Sequence, residues 1–293
     1  MTDTAAPARP LWRAIWEFPL VALLVAAVLT AGTIALLGWA LVQLPLTLDE
    51  QWGGAVRTTI AVAVLFALYK LVLRHLGERK HDDLPLAGSL RDLGLGMLGA
   101  FALMSLIVGI AAVLGVYRIE GWGGLSNWVP MLFAAGISAG FVEELVFRGI
   151  LFRWVEEFAG SWAALALTSA LFGLAHITND NASWFSSFAI AMEAGVLLGG
   201  AYMLTRSLWA PIGLHFGWNM TQGLVWDVPV SGNEVDGLVQ AQLSGNALLS
   251  GGAFGLEASL IALIVATMFG VWLVKLAAER GHVMRPWWAR RKG

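Results

Sequence analysis

A chain of 293 residues that is 58% hydrophobic and only 13% charged, with a mean hydropathy of +0.72, cannot cover a soluble surface, because soluble domains carry about 25% charged residues. Its 18 basic and 20 acidic residues leave a formal charge of −2, which excludes a large basic face for nucleic acid. The absence of cysteine excludes disulfides, thiol nucleophiles and cysteine-held zinc or iron–sulfur centres.

Crossing the ~30 Å hydrocarbon core takes about 20 apolar residues. In chain order the sequence supplies such stretches at 20–42, 54–73, 93–116, 129–152, 163–178, 184–203, 208–226 and 258–274. The expectation is an all-α, polytopic membrane bundle of about eight transmembrane helices. The first stretch is too long for the apolar region of a cleaved signal and lacks a small-residue cleavage site, so it reads as a retained helix. The layout is a tail over 1–17, three helices over 18–128, a core of helices four to seven over 129–226, a loop over 227–257, and a last helix with a basic tail over 258–293. Residues 81–88 look like a linker.

Lysine and arginine collect in cytoplasmic segments. With both termini inside, 16 of the 18 basic residues fall on the cytoplasmic side, and only Arg57 and Arg118 fall outside. The 227–257 loop, with four acids and no basic residue, suits the outer side. Trp12, Trp16, Trp52, Trp122, Trp128, Trp287 and Trp288 sit near span ends, where indole favours the headgroup region. Gly136/Gly140 and Gly195/Gly199 are small-xxx-small pairs that let helices approach closely.

An ionisable group at mid-bilayer costs about 2.5–3.5 kcal/mol on insertion scales, so Glu143, Glu144, Glu193, His176 and His215 each need a reason, with Asn219 as a polar partner. Glu144 and Arg148 stand i, i+4 on one helix face. Glu143 points about 100° away. If helices four and five form an antiparallel hairpin, the midpoint between Glu143 and His176 falls at Ala159-Gly160, where a turn is expected independently. The pair then lies at one depth, roughly 24 Å from the turn. A turn carrying Arg153, Glu156 and Glu157 is expected to protrude, leaving the pair ~10 Å below the cytoplasmic surface. His215 and Asn219 share a face one turn apart, and His215 lies ~10 Å from a turn near Arg206. These residues are expected to converge on one cavity open to the cytoplasmic leaflet. Taken singly, a surface ion pair, a packed histidine or interhelical hydrogen-bond glue would explain each of them.

The ordered set Glu143-Glu144-x-x-x-Arg148, Phe172-x-x-x-His176 and His215-x-x-x-Asn219 resembles the CAAX protease and bacteriocin-processing (CPBP, or Abi) family, which includes the Ras-converting CAAX endopeptidases. The likeness spans about 129–220, and Glu193 is an addition that the family pattern does not require. The resemblance implies an intramembrane endopeptidase, multi-pass in a bacterial plasma membrane, acting on a membrane-associated peptide or protein with a CAAX-like end. Glu143 would be the base on a water, assisted by His176. His215 and Asn219 would form an oxyanion hole, and Glu144 and Arg148 would orient the base. A rival reading makes Glu143, His176 and His215 ligands of zinc. Because His-Glu-x-x-His is absent and Asn219 suits an oxyanion donor, the reading without a metal or other cofactor is preferred. Two further alternatives are a catalytically silent immunity or scaffold protein of this fold and a proton-coupled transporter. A transporter would predict inverted repeats, and no repeat is visible.

Overall fold

The computed structural model describes residues 10–290. The expected basic residues Arg9, Arg291 and Lys292 lie outside them. A short helix, Leu11–Trp16, precedes α1, Pro19–Val42, which starts on a proline that has no amide hydrogen to leave unpaired. Helix α2, Glu50–Leu71, is capped by Asp49, whose carboxylate accepts the Trp52 amide at 3.0 Å. Helix α3, Ser89–Val113, leads into strand β1, Tyr117–Trp122. Helix α4 runs over Trp128–Ala159, and α5 over Ser161–Ala175. Helix α6, Trp184–Thr205, starts at a reciprocal Ser183/Ser186 capping box. Helix α7, Trp209–Met220, winds on to Val225, and strand β2 covers Val239–Leu243. Helix α8, Leu260–Glu279, is capped by Ser259.

Among the described residues seven helices, α1 to α6 and α8, are long and apolar enough to span a membrane, so the polytopic all-α reading holds. The expected seventh span is the exception. Over 209–225 it has 17 residues, about 25 Å of helix at 1.5 Å per residue. Nine of the twelve residues of Trp209–Met220 are buried, so α7 is a central helix whose apolarity is set by protein neighbours, which lets it carry His215 and Asn219. A small feature was not expected. β1 and β2 pair antiparallel from Tyr117↔Leu243 to Trp122↔Val239, with an irregularity between Ile119 and Gly121, joining the segment before α4 to the 227–257 loop.

Packing around α7 depends on missing side chains. A Cβ on Gly213 would lie 2.2 Å from the Leu93 carbonyl, and one on Gly96 2.4 Å from that of Ala210. Only glycine lets α3 and α7 touch backbone to backbone. Gly136 and Gly140 of α4 receive Phe216 of α7, while Gly195 and Gly199 of α6 receive Ser169 and Leu165 of α5, so both small-residue pairs serve packing. The α4–α5 turn falls where the hairpin arithmetic puts it, at Gly160 with φ +86°. Large apolar side chains such as Leu24, Leu36 and Met268 face outward, as a lipid-facing surface requires.

The turn does not protrude with free charges. Arg153, Glu156 and Glu157 are buried, because partners arrive from elsewhere in the chain. Arg153 bonds Asp83 at 3.1 Å, and Arg206 bonds Glu156 at 2.5 Å. Asp83 also accepts from Tyr69 at 2.8 Å and Tyr202 at 2.7 Å, while Lys70 pairs with Asp82. The stretch read as a linker is therefore a docked plug, since a buried carboxylate survives only with such donors.

Candidate active site

Along α4, the backbone over Met131–Glu143 and again over Leu145–Phe152 is wound in the wider π form, a form often associated with functional sites. Glu144 and Arg148, both 0% exposed, still meet, with Nη1 donating to Oε1 at 2.8 Å. Arg148 Nη2 reaches the carbonyls of Ala194 and Gly195 on α6 at 3.4 and 3.3 Å, and its guanidinium lies 4.7 Å from the Phe172 ring centre. The same Glu144 Oε1 holds His215 Nδ1 at 3.0 Å. Glu144 thus ties α4 to α7, and the ring nitrogen opposite Nδ1 is the one left to act elsewhere.

His176 stands where α5 ends, and its Nδ1 bonds the Phe172 carbonyl at 2.7 Å. A carbonyl only accepts, so Nδ1 carries the hydrogen, and in the neutral ring Nε2 keeps a lone pair. Phe172 is the common spacer, with ring centres 4.8 Å from His176 and 6.0 Å from His215. Asn219 Nδ2 donates to the Ala135 carbonyl of α4 at 2.7 Å, which commits one of its two amide hydrogens.

His176, His215 and Asn219 line one cavity of about 30 Å³, room for roughly two waters or groups of similar size. Glu143 is not among its lining residues. One helical step from Glu144, it keeps Oε2 buried without a hydrogen-bond partner and acts electrostatically on both Arg148 and His215. The structure brings the two histidines and Asn219 to one cavity, with Glu144 directly behind His215. Glu143 stands adjacent with an uncommitted oxygen.

Depth follows from the polar layer. Leu208 donates its amide to the Asp83 carbonyl at 2.7 Å, and Arg153 pairs with the Asp83 side chain. The turn before α7 is therefore level with Arg153, nine residues from Glu144, a distance of roughly 13 Å. Ser231 and Glu257 line the cavity from the 227–257 side, a contribution that sequence reading missed. Glu257 was one acid among four in a loop, and nothing local marks it as buried. Burial pushes its carboxyl up to about 7 against hydrogen bonds from Ser231 and Trp218 and the nearby His215. Glu193 of α6, flagged by its place in a span, lines the same cavity. Among the described residues no three His, Asp or Glu side chains are grouped to hold a metal ion. The zinc set of Glu143, His176 and His215 is not assembled there.

A helical membrane bundle that buries an Arg–Glu–His relay beside a small cavity lined by further ionisable side chains offers a candidate hydrolytic site. Comparison with known proteins agrees. Residues 125–221 match the family described as type II CAAX prenyl endopeptidase Rce1-like, consistent with the CPBP resemblance and overlapping the 129–226 core. The match suggests a CAAX-type protease and covers about a third of the chain. No curated protein and no solved structure matches it.

Proposed function

We propose that the protein is an intramembrane endopeptidase that hydrolyses a peptide bond near the cytoplasmic end of a membrane-associated, CAAX-like substrate. The observation that carries this reading is the shared cavity of His176, His215 and Asn219, with His215 held from behind by Glu144 and Arg148. Glu143 is the base: Oε2 of both glutamates is buried without a partner, but Glu144 is already held through Oε1 by Arg148 and His215, which stabilises its anion and weakens it as a base. His176 Nε2 accepts a hydrogen bond from the water and aligns it. As Glu143 takes the proton, the water oxygen bonds to the carbonyl carbon. Negative charge gathers on the carbonyl oxygen, where the second Asn219 hydrogen donates together with Nε2–H of His215 in its imidazolium form, its Nδ1–H being held by Glu144. The C–N bond then breaks, Glu143 returns the proton to the leaving nitrogen, and the products are a carboxylic acid and an amine. The basic end of the bundle faces the cytoplasm, both termini lie there, and the protein resides in a bacterial plasma membrane.

The test uses purified full-length protein in detergent with a membrane-anchored fluorogenic peptide, with and without chelator. Hydrolysis by the wild type that survives chelation and is lost in Glu143→Ala is the expected result. Equal rates in wild type and variant would remove the base assignment. Activity lost with stoichiometric zinc and restored by adding it would replace metal-free chemistry with a metal centre.

A further inference from the structure

The cavity has a second wall that hydrolysis leaves without a role. Glu193, 1% exposed on α6, and Glu257, 4% exposed just before α8, line it opposite the histidines' own helices. Glu257 is anchored by the Ser231 amide and the Trp218 indole. Glu193 Oε2 is buried with no hydrogen-bond partner, and Glu257 is the charge acting on Glu193. Arg148 is committed through its terminal nitrogens to Glu144 and to the carbonyls of Ala194 and Gly195.

Two buried carboxyls on one small cavity, one with an unused oxygen, are unfavourable unless protonated or met by a cation. A cation from the substrate would satisfy both. Size selects its kind. The cavity has room for roughly two water-sized groups, the attacking water and one more, and a primary ammonium is that size, with three donors free to rotate. A guanidinium is a wider planar fork. We propose that Glu193 and Glu257 form a subsite for a primary ammonium, filled by a lysine side chain adjacent to the scissile bond. The ammonium donates to Glu193 Oε2 and shares its remaining donors with Glu257. The identity of the substrate residue rests on the endopeptidase reading, whereas the ammonium site does not.

Two measurements on the full-length protein in detergent separate these layers. The first is thermal unfolding with n-butylammonium against n-butanol, its neutral counterpart. The second is kcat/KM for paired membrane-anchored peptides with lysine or norleucine beside the scissile bond. Butylammonium is expected to raise the unfolding midpoint where butanol does not, and Glu193→Gln and Glu257→Gln, which keep side-chain shape, should abolish that difference. The lysine-to-norleucine ratio should be at least about tenfold in the wild type, the scale of a charged hydrogen bond, and fall toward one in either variant. A midpoint shift with no hydrolysis of any peptide would sustain the subsite and sink the endopeptidase reading. Hydrolysis with no ammonium shift and a ratio near one would do the reverse. A shift that persists in both glutamine variants places the ammonium elsewhere and overturns the proposal, and a shift with a wild-type ratio near one overturns its assignment to lysine.

Discussion

At Glu144, one carboxylate oxygen accepts both Arg148 and His215, so neighbouring glutamates in sequence have unlike fates. Breaking a buried pair by removing one partner costs about 3–5 kcal/mol. Glu144→Ala should therefore lower the unfolding temperature as well as activity, whereas Glu143→Gln should abolish turnover at nearly unchanged stability. Calorimetry beside a hydrolysis assay separates the two, and a stable, inactive Glu144→Ala would reverse their roles. Asn219→Ala should lower turnover by ~10²–10³ as loss of an oxyanion donor does, with little change in KM. It also removes the bond to Ala135, worth about 1 kcal/mol, so a fall in stability without the fall in kcat would mark Asn219 as helix glue. The Glu144–Arg148 pair was legible because i, i+4 spacing is a local rule. Glu257 was not, since its burial is produced by contacts with Ser231 and Trp218 that lie tens of residues away.

Between elements, the α4–α5 hairpin was readable because a symmetric depth argument and a helix-breaking glycine agreed on one place. The role of α7 was not. Its composition resembles a span, yet its surroundings are protein, and the α3 contact at Gly96 and Gly213 appears in sequence only as scattered glycines. Gly213→Val would press a side chain onto the Leu93 carbonyl, and overpacking of this kind costs about 1–3 kcal/mol. Because His215 sits two residues on, the variant should lose activity beyond its loss of stability, and wild-type turnover in folded Gly213→Val would show that the contact does not position the site. The strand ribbon and its loop were unreadable for a related reason, namely that β1 and β2 are more than a hundred residues apart. Asp236 clips this layer by accepting the amides of Gly124 at 2.9 Å and Ser126 at 2.7 Å. The bonds from Ser126 and then Gly124 lower its carboxyl to about 2 from 3.8. A depressed acid stabilises the docked loop above its unfolded value, so the clip should hold above pH ~4 and fail as pH falls through about 2. Protection of the Gly124 and Ser126 amides, measured relative to intrinsic exchange, should fall over that window and should already be lost at neutral pH in Asp236→Ala. Protection that stays constant from pH ~4 to below 2 would discount the clip.

Across the whole molecule, the structure sorts the chain into two ends without reference to a membrane. Asp83, Arg153, Glu156 and Arg206 interlock at one end, with His282 bonded to the Met203 carbonyl beside them. The β1–β2 ribbon and the 227–257 segment occupy the other. On the proposed orientation the interlocked end, which carries most of the basic residues, is the cytoplasmic one, because basic loops stay inside. The candidate site lies roughly 13 Å from that layer, a depth at which a membrane-anchored substrate can reach it from the same leaflet. Single cysteines at Lys80 on the interlocked end and at Trp122, 86% exposed on β1, provide the test, since the chain has no cysteine of its own. A membrane-impermeant thiol reagent applied to intact cells should label Trp122→Cys, and Lys80→Cys only after the membrane is opened. Both labelled from one side would mean that the ribbon and the interlocked layer do not lie across the bilayer from each other. The reverse pattern would keep the two-ended architecture but turn the molecule over, so that the candidate site would open toward substrates on the outer face.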